Sequence, residues 1–195
     1  MGRVEATFAS RNPGKLRELR ALLPGWEIEP VETELPDETG ATFYENARAK
    51  AVFAHEPGSW TLGEDSGLEV EGLGGEPGIR SARYAGLEAT DEENVDKLLA
   101  ALAGAEENAR RARYVSELVC LSPAGEELRG TGRLEGTIAL DPRGSEGFGY
   151  DPVFIPVGER RTVAELGDDW KREHSHRARA VGSLLRALSE ATPGR

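Results

Sequence analysis

TLGEDSGLEVEGLGGEPGIRSARYAG, residues 61–86, sets two adjacent carboxylates, Glu64 and Asp65, between Gly63 and Gly67. Ser66 follows them, and a Gly/Pro-rich loop then ends in Arg80, Ser81, Arg83 and Tyr84. Trp60 and Leu62 read as a strand edge leading in, and Leu68 and Val70 alternate as a strand leading out. Carboxylates at a strand end, framed by glycines, lie where backbone can approach a ligand closely. Hard divalent cations such as Mg²⁺ take oxygen ligands of this kind, with substrate phosphates completing the shell. A solvated acidic turn uses the same residue types. The stretch alone leaves both readings open, and what flanks it moves the balance.

Upstream, Val4 to Ala9 reads as a short buried strand. It runs into Ser10-Arg11-Asn12-Pro13-Gly14-Lys15, a turn-forming loop. A helix is expected from about Leu16, with Leu19, Leu22 and Leu23 on its apolar side, and Pro24-Gly25 stops it. Trp26 to Val31 reads as a second strand and Glu32 to Gly40 as an acidic loop. Thr42 and Glu45 form a capping box that opens a helix with Phe43, Ala47, Ala51 and Ala54 on one stripe.

Downstream, Thr90 and Glu93 form a second capping box, for a helix with Val95, Leu98, Leu99 and Leu102 on its apolar face and Gly104 at the C-cap position. Residues 105–110 read as a polar turn. Arg113 to Leu121 is apolar on both faces and reads as a central strand. Pro123 to Gly125 marks a hairpin, and Glu127 to Leu140 reads as one or two strands broken by glycines. Pro152 to Ile155 reads as a short strand. Thr162 and Glu165 cap a short helix. The last helix begins near Ser175, with Ala178, Val181, Leu184, Leu185 and Leu188 on one stripe. Strands interleaved with helices around a hairpin-rich middle indicate an α/β fold with a mixed sheet.

At 195 residues the chain fits one domain, or one domain with two lobes. The net charge of −11 repels nucleic acid and anionic membrane, so a phosphate ligand needs a local cationic cleft. The single cysteine, Cys120, excludes an internal disulfide and lies in an apolar run, as a buried structural thiol does. No stretch approaches a membrane span, and the N-terminus lacks a signal-peptide core, so a cytoplasmic location is expected by default.

Four further features bear on phosphate chemistry. Ser10 to Lys15 leads into a helix N-terminus, whose free N–H groups and partial positive charge favour phosphate; Lys15 adds a full charge. The spacing is not that of a Walker A loop. Asp37, Glu38, Glu64 and Asp65 form an acidic set that implies a divalent metal if a triphosphate lies near it; Asp37 and Glu38 also suit a plain acidic loop before a helix. Gly147-Phe148-Gly149-Tyr150-Asp151-Pro152 spaces two aromatics with glycines. Such rings can form a flat slot for a base, with stacking worth ~1–3 kcal/mol, or can staple a turn onto the core. Asp151 can accept from a base N–H or a ribose hydroxyl. Finally, Lys171 through Arg177, KREHSHR, puts His176 and Arg177 at a helix N-terminus against the macrodipole. The donor-only Arg177 suits a 6-oxo purine. A solvated basic turn is the plain alternative, and His174 with His176 makes a weak zinc pair because no third His is near and the one Cys lies in a strand.

Together these blocks resemble the inosine triphosphate pyrophosphatases, enzymes that hydrolyse non-canonical purine nucleoside triphosphates. The likeness runs nearly end to end: FASRNPGKLREL, ETGATFYENARAKA, GEDSGLEVEGLGGEPGIRSARYAG, GFGYDPVF and KREHSHRARA, in the family's order. It implies an elongated mixed β-sheet flanked by helices, two lobes with a central cleft, and a single two-lobed domain over 1–195. It implies a Mg²⁺-dependent homodimer that cleaves ITP, dITP or XTP to nucleoside monophosphate and pyrophosphate. By residue, it implies that Ser10, Arg11, Asn12, Pro13, Gly14 and Lys15 hold the triphosphate. Asp65 would be general base or metal ligand, Glu38 a metal carboxylate and Ser66 a substrate contact. Phe148, Gly149, Tyr150, Asp151, Lys171, His176 and Arg177 would meet the nucleoside. Ser10-Arg11 stands where Thr-Gly is common, and Glu64-Asp65 where Asp-Asp is frequent, which leaves Arg11 and Glu64 without a settled role. The alternative is a Maf-type pyrophosphatase acting on pyrimidine or modified nucleotides. Its N-terminal loop carries an arginine pair where this chain has Asn12-Pro13-Gly14-Lys15.

Overall fold

The first helix begins earlier than its apolar spacing suggests. Asn12 is its N-cap, accepting from the Lys15 amide at 3.0 Å, and Pro13 supplies the helical φ of the first position. The helix α1 therefore runs Pro13–Leu22, and Lys15 sits in its first turn instead of in a loop. In the computed structural model, which describes residues 3–191, the remaining helices are α2 (Phe43–Ala54), α3 (Asp91–Ala101), α4 (Val163–His174) and α5 (His176–Ala191). The strands are β1 (Val4–Phe8), β2 (Trp26–Pro30), β3 (Trp60–Val70), β4 (Arg111–Leu121), β5 (Glu127–Ile138) and β6 (Phe154–Pro156).

The strands form one sheet in the order β2-β1-β3-β4-β5-β6. β1 runs parallel to β2 and to β3, with Phe8 opposite Leu62, and β5 runs antiparallel to β6. The expected mixed α/β architecture is present, with β4 in the interior of the sheet.

The chain divides into two compact units. One takes the chain up to Asp65, then Ser116–Gly132, then everything from His176; the other takes Ser66–Val115 and Arg133–Ser175. In the first unit, α1 and α5 bring Leu19, Leu23, Ala180, Val181 and Leu184 onto Phe8, Ile28, Leu62, Leu118 and Cys120. A smaller cluster joins Ala47 and Ala51 of α2 to Val119 and Leu121. In the second, Val95, Leu98 and Leu102 of α3 pack with Leu68, Val70, Tyr114, Leu134, Tyr150 and Phe154.

Three sequence expectations change. Glu64 and Asp65 are not at a strand end: β3 is continuous over 11 residues and carries both in its middle. The reason is Gly63, where a Cβ would meet the Ala51 amide at 2.7 Å. The glycine lets α2 lie against the strand instead of ending it. Likewise β5 is unbroken over 12 residues; its Gly130 and Gly132 clear room for Ala180 and His176 of α5. On α5, Ala180 is buried instead of Ala178, and Leu185 remains 42% exposed. The capping boxes of α3 and α4 form as expected, but α4 is interrupted at Gly167, whose φ is 87°.

Candidate active site

In the first unit the buried face of α2 carries more than its apolar stripe. Asn46 and Lys50, one turn apart, are also buried, because Gly63 lets that face approach β3 closely. Asn46 Nδ2 donates to Asp65 Oδ2 at 3.1 Å, and its Oδ1 accepts from the Gly40 amide at 2.8 Å. This holds the end of the acidic loop next to Asp65. Lys50 Nζ donates to Asp65 Oδ1 at 3.1 Å and to the Glu64 carbonyl at 3.3 Å, and pairs with Glu38. One ammonium thus sits between the two carboxylates expected to hold a metal. Asp37 is exposed.

The electrostatics follow from this burial. Desolvation raises the Asp65 pKa, aided by the Glu38 and Glu64 charges and opposed by Lys15 and Lys50; the net direction is up. For Lys50, burial acts to lower the pKa, but the charges of Asp65 and Glu38 outweigh it and hold the ammonium protonated.

Glu64 is fully buried and faces a different set of partners. Arg177 donates to its Oε1 from Nε at 3.2 Å and Nη2 at 3.1 Å, Ser116 Oγ donates to the same oxygen at 3.0 Å, and Lys15 Nζ lies 2.8 Å from Oε2. Burial alone would raise the Glu64 pKa, but Arg177 and Lys15 outweigh it and hold the carboxylate well below its ordinary range. Arg177, 1% exposed, also pairs with Glu18 of α1. Direct contact of Arg177 with a 6-oxo group would require it to leave these carboxylates. His176 is buried beside it at the start of α5. Ser10 Oγ accepts from the Asn12 amide at 3.2 Å; Arg11 is exposed, and Gly14 is buried in the first turn of α1.

In the second unit, Asp151 organises the glycine-rich loop. Its Oδ2 accepts from Lys171 Nζ at 2.6 Å and from the Phe148 amide at 3.0 Å, and its Oδ1 from Tyr114 Oη at 3.2 Å. Lys171 Nζ also stands 4.7 Å from the Phe148 ring centroid. Tyr150 is buried in the core and donates to the Ser81 carbonyl at 2.9 Å. The two aromatics therefore differ: Tyr150 staples the loop to the core, and Phe148 stays partly exposed beside Lys171. The Gly149 amide donates to Asp91 at 2.7 Å. Ser66 follows Asp65 directly in β3.

The structure thus gathers Lys15, Glu38, Glu64, Asp65 and Arg177 within one unit, and Phe148, Tyr150, Asp151 and Lys171 within the other. Sequence reasoning missed Asn46, Lys50, Glu18, Ser116 and Tyr114. The available signal for the first two was their four-residue spacing beside the Ala47/Ala51 stripe, opposite a strand glycine.

The chain matches the model of the Ham1 family over residues 6–187. It belongs to the Ham1 family. It is 44% identical over 208 residues to the dITP/XTP pyrophosphatase of Bdellovibrio bacteriovorus, covering 97% of this chain and 100% of that one. It is 43% identical to the protein of the same name from Thermus thermophilus, over 98% of this chain and 95% of that one. Among solved structures, a HAM1 protein from Coxiella burnetii superposes with a TM-score of 0.84 at 39% identity, over 96% of this chain and 99% of that one. A nucleoside-triphosphatase / dITP/XTP pyrophosphatase from Mycobacterium abscessus gives 0.71 at 40% identity, over 97% and 98%. These likenesses favour the purine-triphosphate reading over the Maf-type alternative.

Proposed function

We propose that this Ham1 protein hydrolyses non-canonical purine nucleoside triphosphates, ITP, dITP and XTP, to nucleoside monophosphate and pyrophosphate. The observation that carries the reading is the end-to-end identity to relatives named dITP/XTP pyrophosphatase. The buried cluster on α1, α2 and β3 supports the chemistry.

Glu38 and Asp65 fit Mg²⁺. Both are hard oxygen donors brought to one point by Lys50, whose single ammonium would have to yield that point to the metal. Among the described residues no group of three or more His, Cys, Asp or Glu converges, so two carboxylates would leave the rest of the shell to water and phosphate oxygens, as Mg²⁺ prefers. When bound, the metal neutralises phosphate charge and lowers the pKa of a coordinated water. The protein's own groups do the rest. Asp65, oriented by Asn46, takes the proton of the attacking water at Oδ1 or Oδ2. Lys15 and the amides at the start of α1 stabilise charge on the pyrophosphate as it leaves. Ser10 to Gly14 line that helix start, and Ser66 contacts the substrate beside Asp65. In the second unit, Phe148 offers a ring face to a base, with Gly149, Tyr150, Asp151 and Lys171 holding the loop in shape. His176 takes the nucleoside role that the family likeness implies, while Arg177 stays on Glu18 and Glu64. A homodimer in the cytoplasm completes the reading; sedimentation equilibrium should give twice the 21.1 kDa chain mass.

Pyrophosphate release from ITP, dITP, XTP, ATP, GTP and dTTP, with and without Mg²⁺, tests the proposal. Release from the first three, dependent on Mg²⁺, is expected. Preference for dTTP, or equal rates on ATP and ITP, would overturn the substrate assignment.

A further inference from the structure

The mechanism above uses Lys15 and Asp65 but leaves Glu64, the most deeply buried carboxylate of the cluster, without a part. Its surroundings argue against metal binding. One oxygen takes Nε and Nη2 of Arg177 together with Ser116 Oγ, and the other faces Lys15 Nζ at 2.8 Å. A cation approaching Glu64 would have to displace an ammonium, a guanidinium or a hydroxyl from a site with no solvent exposure. The same contacts make Glu64 a rigid anchor. Arg177 is itself fixed by Glu18 of α1, so the carboxylate is tied to α1, α5 and β4 at once.

Lys15 has the opposite need. Its backbone is fixed by the Asn12 cap, but an ammonium on a flexible four-carbon stem has many rotamers open to it, and its side chain is 14% exposed. Left alone it would sweep a wide arc in front of the helix N-terminus. We propose that Glu64 is a positioning residue: held on one oxygen by Arg177 and Ser116, it presents the other to Lys15 and fixes that ammonium at the N-terminus of α1. Arg177 acts in the same chain, through Glu64. The inference rests on the proposed function, in which Lys15 meets the triphosphate.

The test is a double-mutant cycle read by calorimetric titration with inorganic tripolyphosphate, with Mn²⁺ affinity measured separately by electron paramagnetic resonance. Lys15→Met should weaken tripolyphosphate binding about tenfold or more, and Glu64→Gln about tenfold in the Lys15 background, because a misaimed group costs binding geometry. In the Lys15→Met background, Glu64→Gln should cost nothing further, since its effect passes through Lys15. Mn²⁺ affinity should be unchanged by Glu64→Gln. Additive losses would overturn the proposal, as would a fall in Mn²⁺ affinity, which would make Glu64 a metal ligand. If Lys15→Met itself leaves tripolyphosphate binding intact, the phosphate role of Lys15 fails first, and the two failures are told apart. Should Glu64→Gln not fold because Arg177 is left buried and unbalanced, Ser116→Ala loosens the same carboxylate with little loss of packing. It should weaken tripolyphosphate about threefold with Lys15 present and not at all in Lys15→Met. Undiminished binding in Ser116→Ala with Lys15 present would count against the anchor.

Discussion

Asp65 and Cys120 show how burial sets a residue's chemistry. Asp65 is 4% exposed, its pKa raised by desolvation, and its two oxygens take Asn46 and Lys50. Asp65→Asn keeps the shape and removes the base. Turnover of ITP should fall by about 10³-fold or more, with tripolyphosphate binding within about threefold of wild type; near-normal turnover would take Asp65 out of the mechanism. The direction belongs to the metal-free protein: there the Asp65 carboxyl should titrate above the ordinary aspartate value of 3.8, checked by carbon-13 NMR of labelled aspartate side chains without Mg²⁺, and a titration at or below 3.8 would contradict it. Cys120 is fully buried, and burial pushes its thiol from 9.0 up to about 12. At pH 9 the native thiolate fraction is then lower by about 10³ than in unfolded chain. Iodoacetamide labelling at that pH should be slow in the native protein and fast in urea.

At the scale of elements, the contact of α2 with β3 matters most. Ala47, Ala51, Asn46 and Lys50 reach the strand because Gly63 has no Cβ, and the atoms a side chain would strike there are α2 backbone, which cannot turn aside. Gly63→Ala should therefore cost about 3 kcal/mol of stability, roughly 6–12 °C in Tm for a chain of this length. A shift of under 2 °C, ~0.5 kcal/mol, would show that α2 yields easily. The same substitution should weaken activity in the fraction that stays folded, because Asn46 and Lys50 move with the helix. The cap of α1 is a second, smaller case. Asn12→Ala removes the acceptor of the Lys15 amide, and a loss of about 1 kcal/mol is expected in urea denaturation.

At the scale of the whole molecule, the chain carries a net charge of −11, and in each unit buried cations are matched to carboxylates. Lys15 faces Glu64, Lys50 faces Glu38 and Asp65, Arg177 faces Glu18 and Glu64, and Lys171 faces Asp151. A net negative charge of this size repels a polyanion. Nitrocellulose filters should retain no labelled duplex DNA in the presence of the protein, even at low salt; retention that falls with added salt would contradict this. No helix among the described residues is long and apolar enough to cross a membrane.

Much of this was legible in the sequence, for a local reason. Capping boxes at Thr90 and Thr162, the apolar stripe of α3 and the two-faced β4 each depend on residues a few positions apart, and helix and strand periodicities report them directly. The blocks around Lys15, Asp65 and Asp151 were visible because oxygen, ammonium and glycine chemistry is recognisable at short range. What only the tertiary structure decided was who faces whom. Asn46 and Lys50 stand outside the apolar stripe of α2, and it is Gly63, by letting α2 descend onto β3, that brings them to Asp65. Glu64 looked like half of an acid pair with Asp65, yet alternation along the strand sends it to Arg177, Ser116 and Lys15 while its neighbour meets Asn46 and Lys50. Arg177 and Glu64 are 113 positions apart. Burial, and therefore pKa and role, follows from such distant contacts, which no window along the chain contains.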